Sequence, residues 1–268
     1  MSHFPPLSSG TLMAGKIVYS QFQTGNRTGL EPVLMAAAVP ARPGQRVAEI
    51  GCGAGAGLLC LAHRIPELNL WGIELDSASL VLAEQNMHAN GHSGVTFVNA
   101  SFPTDLPPEV PFGQFDHCFA NPPWHEAESS SSPTARRDLA RRALPDTLKS
   151  WIKGASRLLR HKGSLTLALP ADQLAAACTA LTVARFGDIA LCPLWPKRGR
   201  AARLMLVQAR YGVKNPSRIL PGLTLHEDAG GFTPESRLIL KDGNPLVLHR
   251  QQKTQPNVQK LVHLENQP

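Results

Sequence analysis

Four consecutive residues, Asn121-Pro122-Pro123-Trp124, carry the most specific chemistry in this chain. A nitrogen conjugated to a ring or carbonyl is a poor nucleophile, because its lone pair is delocalised. Two acceptors that take both of its N–H groups favour a pyramidal nitrogen with a directed lone pair. The Asn121 side-chain oxygen and the Pro122 carbonyl suit that task. The prolines keep the turn rigid and, lacking N–H groups, leave the carbonyls free. Trp124 offers a flat face to a planar target, worth about 1–3 kcal/mol per stacked base. Positioning and electrostatics then supply the acceleration, and no strong general base is needed. Taken alone, the segment also reads as a proline turn with a buried tryptophan.

A second cluster lies upstream, in Glu49-Ile50-Gly51-Cys52-Gly53-Ala54-Gly55-Ala56-Gly57. Alternate glycines let the backbone turn tightly and approach a ligand closely. The helix that follows presents free N–H groups to a negative group. That group is a pyrophosphate in a dinucleotide site and the methionine carboxylate in an S-adenosyl-L-methionine site. Glu49 favours the second, since a carboxylate beside the loop repels a pyrophosphate and suits a positive amino group. Glu74, in Trp71-Gly72-Ile73-Glu74-Leu75-Asp76, has the spacing of an acid that meets ribose hydroxyls in either class.

The elements needed to position these residues follow from the pattern. A small hairpin is predicted over 11–22 with its turn near Ala14-Gly15, and a helix from Leu30 to Val39 stopped by Pro40. Strands are predicted over 47–50, 68–75, 95–99, 115–120 and 164–169. Helices are predicted over 54–64, 77–90 (Ser77 as N-cap, Gly91 as stop), about 137–159 and 171–184. Strand–helix alternation implies a parallel sheet with helices on both faces. Strands at 188–192 and 203–209 have no helix between them, so they form an antiparallel hairpin at one edge. The result is an α/β, Rossmann-like, mostly parallel seven-stranded sheet. An N-terminal extension is expected over 1–28, the main domain over 29–212 and a C-terminal extension over 213–268, its tail from Lys241 loosely packed.

Charge is divided unevenly. Residues 1–130 carry 5 Lys/Arg against 11 Asp/Glu and residues 131–268 carry 22 against 9, making the +7 of the whole chain. A basic half joined to an acidic one suggests a polyanionic partner docking on one side. Lys197, Arg198, Arg200 and Arg203, in or beside the last hairpin turn, are the better candidates for phosphate contacts. Arg136, Arg137, Arg141 and Arg142 spread around a helix and form no clean stripe. The five cysteines form no CxxC pair and read as reduced thiols of a cytoplasmic protein. No apolar stretch is long enough for a membrane span, the N-terminus lacks the pattern of a signal peptide, and no His/Cys/Asp spacing suggests a metal.

The glycine loop and the Asn-Pro-Pro-Trp segment resemble those of class I amino-methyltransferases. The N-terminal stretch (Gly15-Lys16-Ile17, Gln21, Gly25-Asn26-Arg27, then Glu31 to Ala38) is similar to that of the bacterial tRNA (adenine-N6)-methyltransferases, and the similarity runs from about residue 10 to 240. That family methylates the adenine beside the anticodon of valine tRNA. The resemblance implies that Glu49, Gly51, Gly53, Gly55 and Glu74 hold S-adenosyl-L-methionine. It also implies that Asn121, Pro122, Pro123 and Trp124 hold the target base. The family has an acidic residue after the third strand, for the cofactor's adenine amine. Here that position is Ser101, which makes a weaker contact unless Asp105 substitutes.

The expected function is therefore N6-methylation of adenine in RNA, with tRNA as the partner. The rivals are a protein glutamine N5-methyltransferase, whose planar amide nitrogen poses the same chemical problem, and a non-catalytic RNA-binding module of the same fold.

Overall fold

The computed structural model describes residues 5–24, 27–123 and 147–249. The chain opens with an antiparallel hairpin of β1 (Leu7–Leu12) and β2 (Ile17–Phe22), joined by a short turn over Met13–Gly15. Helix α1 (Glu31–Ala38) follows. The alternating region comprises β3 (Arg46–Ile50), α2 (Ala56–Arg64), β4 (Asn69–Glu74), α3 (Ser77–Ala89), β5 (Thr96–Asn99) and β6 (Phe115–Ala120). It continues with α4 (Thr147–Leu158), β7 (Leu159–Pro170), α5 (Leu174–Val183), β8 (Phe186–Trp195) and β9 (Leu204–Tyr211). The C-terminal part adds two-residue strands β10 (Arg218–Ile219) and β11 (Leu223–Thr224), then α6 (Pro234–Asp242).

The sheet order is β10-β8-β9-β7-β6-β3-β4-β5, with β11 also paired to β8. Strands β3 to β7 are mutually parallel, and β9 runs antiparallel between β7 and β8. The expected seven strands and the antiparallel hairpin are present. The hairpin's outer strand, β8, is itself paired by β10 and β11, so the hairpin does not end the sheet. Because β8 points the same way as β7, the ends of β3, β4, β5, β6, β7 and β8 all emerge on one edge of the sheet.

Side chains alternate with the period of two that a strand dictates. On β3, Val47 joins the core beneath α1 and α2, whereas Ala48 and Ile50 join the core beneath α4 and α5. That alternation puts Glu49 on the α2 face. Two expectations need correction, and a third lies partly outside the described residues. The N-cap of α3 is Asp76, not Ser77: Asp76 is extended and its carboxylate accepts from Ser79 N at 3.1 Å. Of the helix expected over 137–159, only Thr147–Leu158 falls among the described residues. The segment after Lys241 is packed as far as His249. Leu246 N donates to Ala37 O at 2.9 Å, Leu248 is buried, and Arg218 donates to His249 Nδ1 at 2.7 Å. Residues 250–268 lie outside the described residues.

Candidate active site

The glycine loop joins β3 to α2 at the edge where the strands emerge. Gly51 N and Cys52 N donate to Ile73 O on β4, at 2.8 and 3.2 Å, and Gly55 N donates to Cys52 O at 2.9 Å. Gly51, Gly53 and Gly55 all have positive φ. At Gly51 (φ +71°) two demands coincide, since a Cβ there would also lie 2.9 Å from the Trp151 ring of α4. Around Gly53 a Cβ would meet nothing within 4 Å, so this part of the loop faces open space. Gly57 is required for a different reason: a Cβ there would collide with Glu49 and Phe119.

Both predicted acids are at the loop, and both are tied to backbone. Glu49 is buried, and its Oε2 accepts from Leu58 N of α2 at 2.9 Å. Burial pushes its pKa well above the usual carboxylate range. The Leu58 N–H opposes this rise, and the charge of Glu74 adds to it. Glu74, at the end of β4, accepts from Gly53 N (2.9 Å) through Oε2 and from Leu75 N (2.8 Å) and Asp76 N (2.9 Å) through Oε1. A carboxylate offers about four acceptor sites, so Glu74 clamps the loop to β4 and still has capacity for a hydroxyl. Asp76 accepts from both the backbone and the hydroxyl of Ser79.

Ser101 lies just past the end of β5, half-buried. Its carbonyl accepts from Asp105 N at 2.9 Å and Thr104 Oγ1 at 3.2 Å, and the Asp105 side chain is exposed one turn on. Phe102 meets Trp151 edge-to-face, with ring centroids 5.6 Å apart. Trp151 thus touches both the glycine loop and the segment after β5. Sequence reading missed it, because a half-buried helical tryptophan looks like any core residue.

Asn121-Pro122-Pro123 follows β6 directly. Ala120 pairs in register with Ile50, so Asn121 and Gly51 are the next residues on adjacent strands, which run about 4.8 Å apart. Asn121 and Pro123 are half-buried and Pro122 is buried. Trp124, His125, Glu126 and the arginines at 136, 137, 141 and 142 lie outside the described residues, as do Gly25 and Asn26.

The N-terminal hairpin docks on the same edge. Asn86 of α3 accepts from Ser20 N at 2.9 Å, and its Nδ2 donates to Ser20 O (2.8 Å) and to Ala54 O in the glycine loop (2.9 Å). Tyr19 shares a 2.8 Å hydrogen bond with Thr28. Its hydroxyl is pushed up to about 12, mainly by burial, with a smaller push from the nearby Glu49 charge. The signal available in sequence was a polar Asn86 at an inward-facing helix position.

At the far end of the edge, the β8–β9 turn holds Lys197, Arg198, Arg200 and Arg203. Lys197 Nζ donates to the Asp228 carbonyl at 3.1 Å, so this residue ties the turn to the C-terminal extension. Arg198, Arg200 and Arg203 are exposed. Among the described residues, no three His, Cys, Asp or Glu side chains come together as a metal ion would need, and no helix is long and apolar enough to cross a membrane.

The chain is 25% identical over 219 residues to the tRNA1(Val) (adenine(37)-N6)-methyltransferase of Pasteurella multocida, spanning 81% of this chain and 89% of that one. The protein of the same name from Porphyromonas gingivalis is 32% identical over 160 residues, 57% of this chain and 62% of that one. In fold, the chain resembles a crystal structure from Agrobacterium tumefaciens described as a predicted O-methyltransferase. Its TM-score is 0.69 at 21% identity, covering 82% of this chain and 99% of that one. The sequence profile of the methyltransferase small domain matches residues 31–177, which include the glycine loop, Glu74 and Asn121-Pro122-Pro123-Trp124. This chain belongs to the methyltransferase small domain family.

Proposed function

We propose that the protein transfers a methyl group from S-adenosyl-L-methionine to the N6 amine of an adenine in tRNA. The observation that supports the proposal most is the register that brings Asn121-Pro122-Pro123 beside Gly51, so that two candidate acceptors follow the strand next to the open glycine loop. The loop suits this cofactor. It is open at Gly53, Glu74 retains acceptor capacity for a ribose hydroxyl, and Glu49 lies beneath the loop, where a positive amino group would favour its charged form. Ser101 would take the cofactor's adenine edge, with Trp151 and Phe102 bounding that side.

When bound, the cofactor supplies an electrophilic methyl on a sulfonium. The Asn121 side-chain oxygen and the Pro122 carbonyl accept the two N6–H groups and direct the lone pair. The chain's part would be to hold the amine nitrogen where that methyl could pass to it from the sulfonium sulfur, the amine proton then leaving to water. Trp124 and Pro123 hold the base plane. The names of the Pasteurella and Porphyromonas relatives support adenine in tRNA as the target.

The test offers labelled cofactor with either total bacterial tRNA or a peptide bearing a glutamine in a release-factor-like context. Label recovered as N6-methyladenosine is the expected result. Label on the peptide glutamine, with none in RNA, would overturn the proposal.

A further inference from the structure

The β8–β9 arm does not stop at the level of the glycine loop. Through Ala120, Leu167 and Val207, Ile50 lies in register with Leu191, and β8 runs on to Trp195. Four further residues at about 3.4 Å each raise the arm roughly 14 Å above the level of the glycine loop, with β7 rising beside it as far as Pro170, level with Leu194. There the C-terminal extension joins it. Leu223 and Thr224 pair with Leu194 and Trp195. Leu225 N donates to Trp195 O at 2.8 Å, His226 N donates to Pro196 O at 3.1 Å, and Lys197 pins the Asp228 carbonyl. The loop then closes on itself: His226 and Phe232 bridge as an isolated antiparallel pair, and their rings stack with centroids 5.0 Å apart and planes 20° apart.

We propose that the raised arm and the His226–Phe232 loop together form a platform for an RNA strand, remote from the reacting base; this rests on the tRNA reading above. Arg198, Arg200 and Arg203 are exposed and pair with no carboxylate among the described residues, so they are available to phosphates. The His226 ring is backed by Phe232 and held by its backbone, which makes it a preordered surface for an unstacked base. The exposed carboxylates of Glu227 and Asp228 repel phosphates. The strand therefore lies along the arginines, and only a base reaches His226. Three strand spacings sideways and three residues of rise separate Trp195, at the foot of this platform, from Asn121 by roughly 17 Å. The platform serves RNA affinity and leaves the chemical step alone.

The test measures binding of a fluorescent, unmodified valine-tRNA transcript by anisotropy, alongside steady-state methyl transfer. The proteins compared are wild type, His226→Ala, His226→Phe and Arg198→Ala/Arg200→Ala. Each must match wild type in melting temperature and cofactor affinity. Loss of one stacked base or two phosphate contacts predicts about tenfold weaker binding for His226→Ala and for the arginine pair. KM for tRNA should rise in parallel and kcat stay within about twofold. His226→Phe should retain binding. The arginine pair should also lower the log–log salt slope by about 1.5. Wild-type affinity in both His226→Ala and the arginine pair, with methylation intact, overturns the platform and leaves the reaction standing. Weakened binding by these variants of a wild type that binds tRNA but puts no methyl on it supports the platform and sinks the reaction instead.

Discussion

Glu49 holds a protonatable group under the glycine loop. Its carboxyl ionises near 4.5 when exposed, but burial keeps the proton on to much higher pH in the folded chain. The stability it contributes is therefore complete below pH 4.5 and is lost as pH rises through the folded value. Glu49→Gln keeps an acceptor for Leu58 N–H and removes the charge. It should stabilise the cofactor-free protein at pH 8, by on the order of 1–3 kcal/mol, and weaken cofactor binding measured by calorimetry. A variant less stable than wild type at pH 8 would contradict this account of Glu49. Residues whose type is chemically unusual for their place were legible in the sequence: an acid before a glycine loop, and an Asn before two prolines. Trp151 and Asn86 were not, because their roles arise from packing across elements distant in the chain.

At the level of elements, strand and helix identities were readable from periodicity, whereas several ends were not. Strand β1 begins at Leu7, earlier than expected. Ser8-Ser9-Gly10 has little strand character, and these residues are held by pairing to β2. Strand β7 begins at Leu159, where the polar run Arg160-His161-Lys162 disguises it. Opposite the active edge, a buried network stitches three strands. His117 on β6 bonds Ser164 of β7 through Nδ1 (2.8 Å), and through Nε2 it bonds Gln45, just before β3 (3.0 Å). The Gln45 oxygen can only accept, so Nε2 carries a proton; wherever His117 is neutral, Nδ1 then accepts from the Ser164 hydroxyl. Burial lowers its pKa from 6.5 to about 4, with Asp116 opposing. A lowered histidine stabilises the fold above pH 6.5, and that contribution is lost as pH falls through about 4. Thermal melts should show an acid limb across this window worth at most about 3 kcal/mol. His117→Asn should flatten it, and an unchanged limb would remove His117 as its cause.

Across the whole molecule, chemistry and charge are separated along one edge. The glycine loop and Asn121 follow the central strands, and the basic arm stands several strands away. The excess of basic residues after position 130 was visible in the sequence. The height of the arm, and its bracing by residues 223–232, were not, because they depend on strand register and on pairing between β8 and β11. In the proposed reaction Asn121 serves the methyl acceptor and not the cofactor. The most direct test compares wild type and Asn121→Ala for cofactor affinity by calorimetry and for N6-methyladenosine formed on tRNA by nucleoside mass spectrometry. Cofactor affinity should stay within about twofold and product formation should fall at least about a hundredfold, as for removal of a positioned polar group in a transition state. Parallel loss of both, or N6-methyladenosine formed at an undiminished rate by Asn121→Ala, would contradict that role.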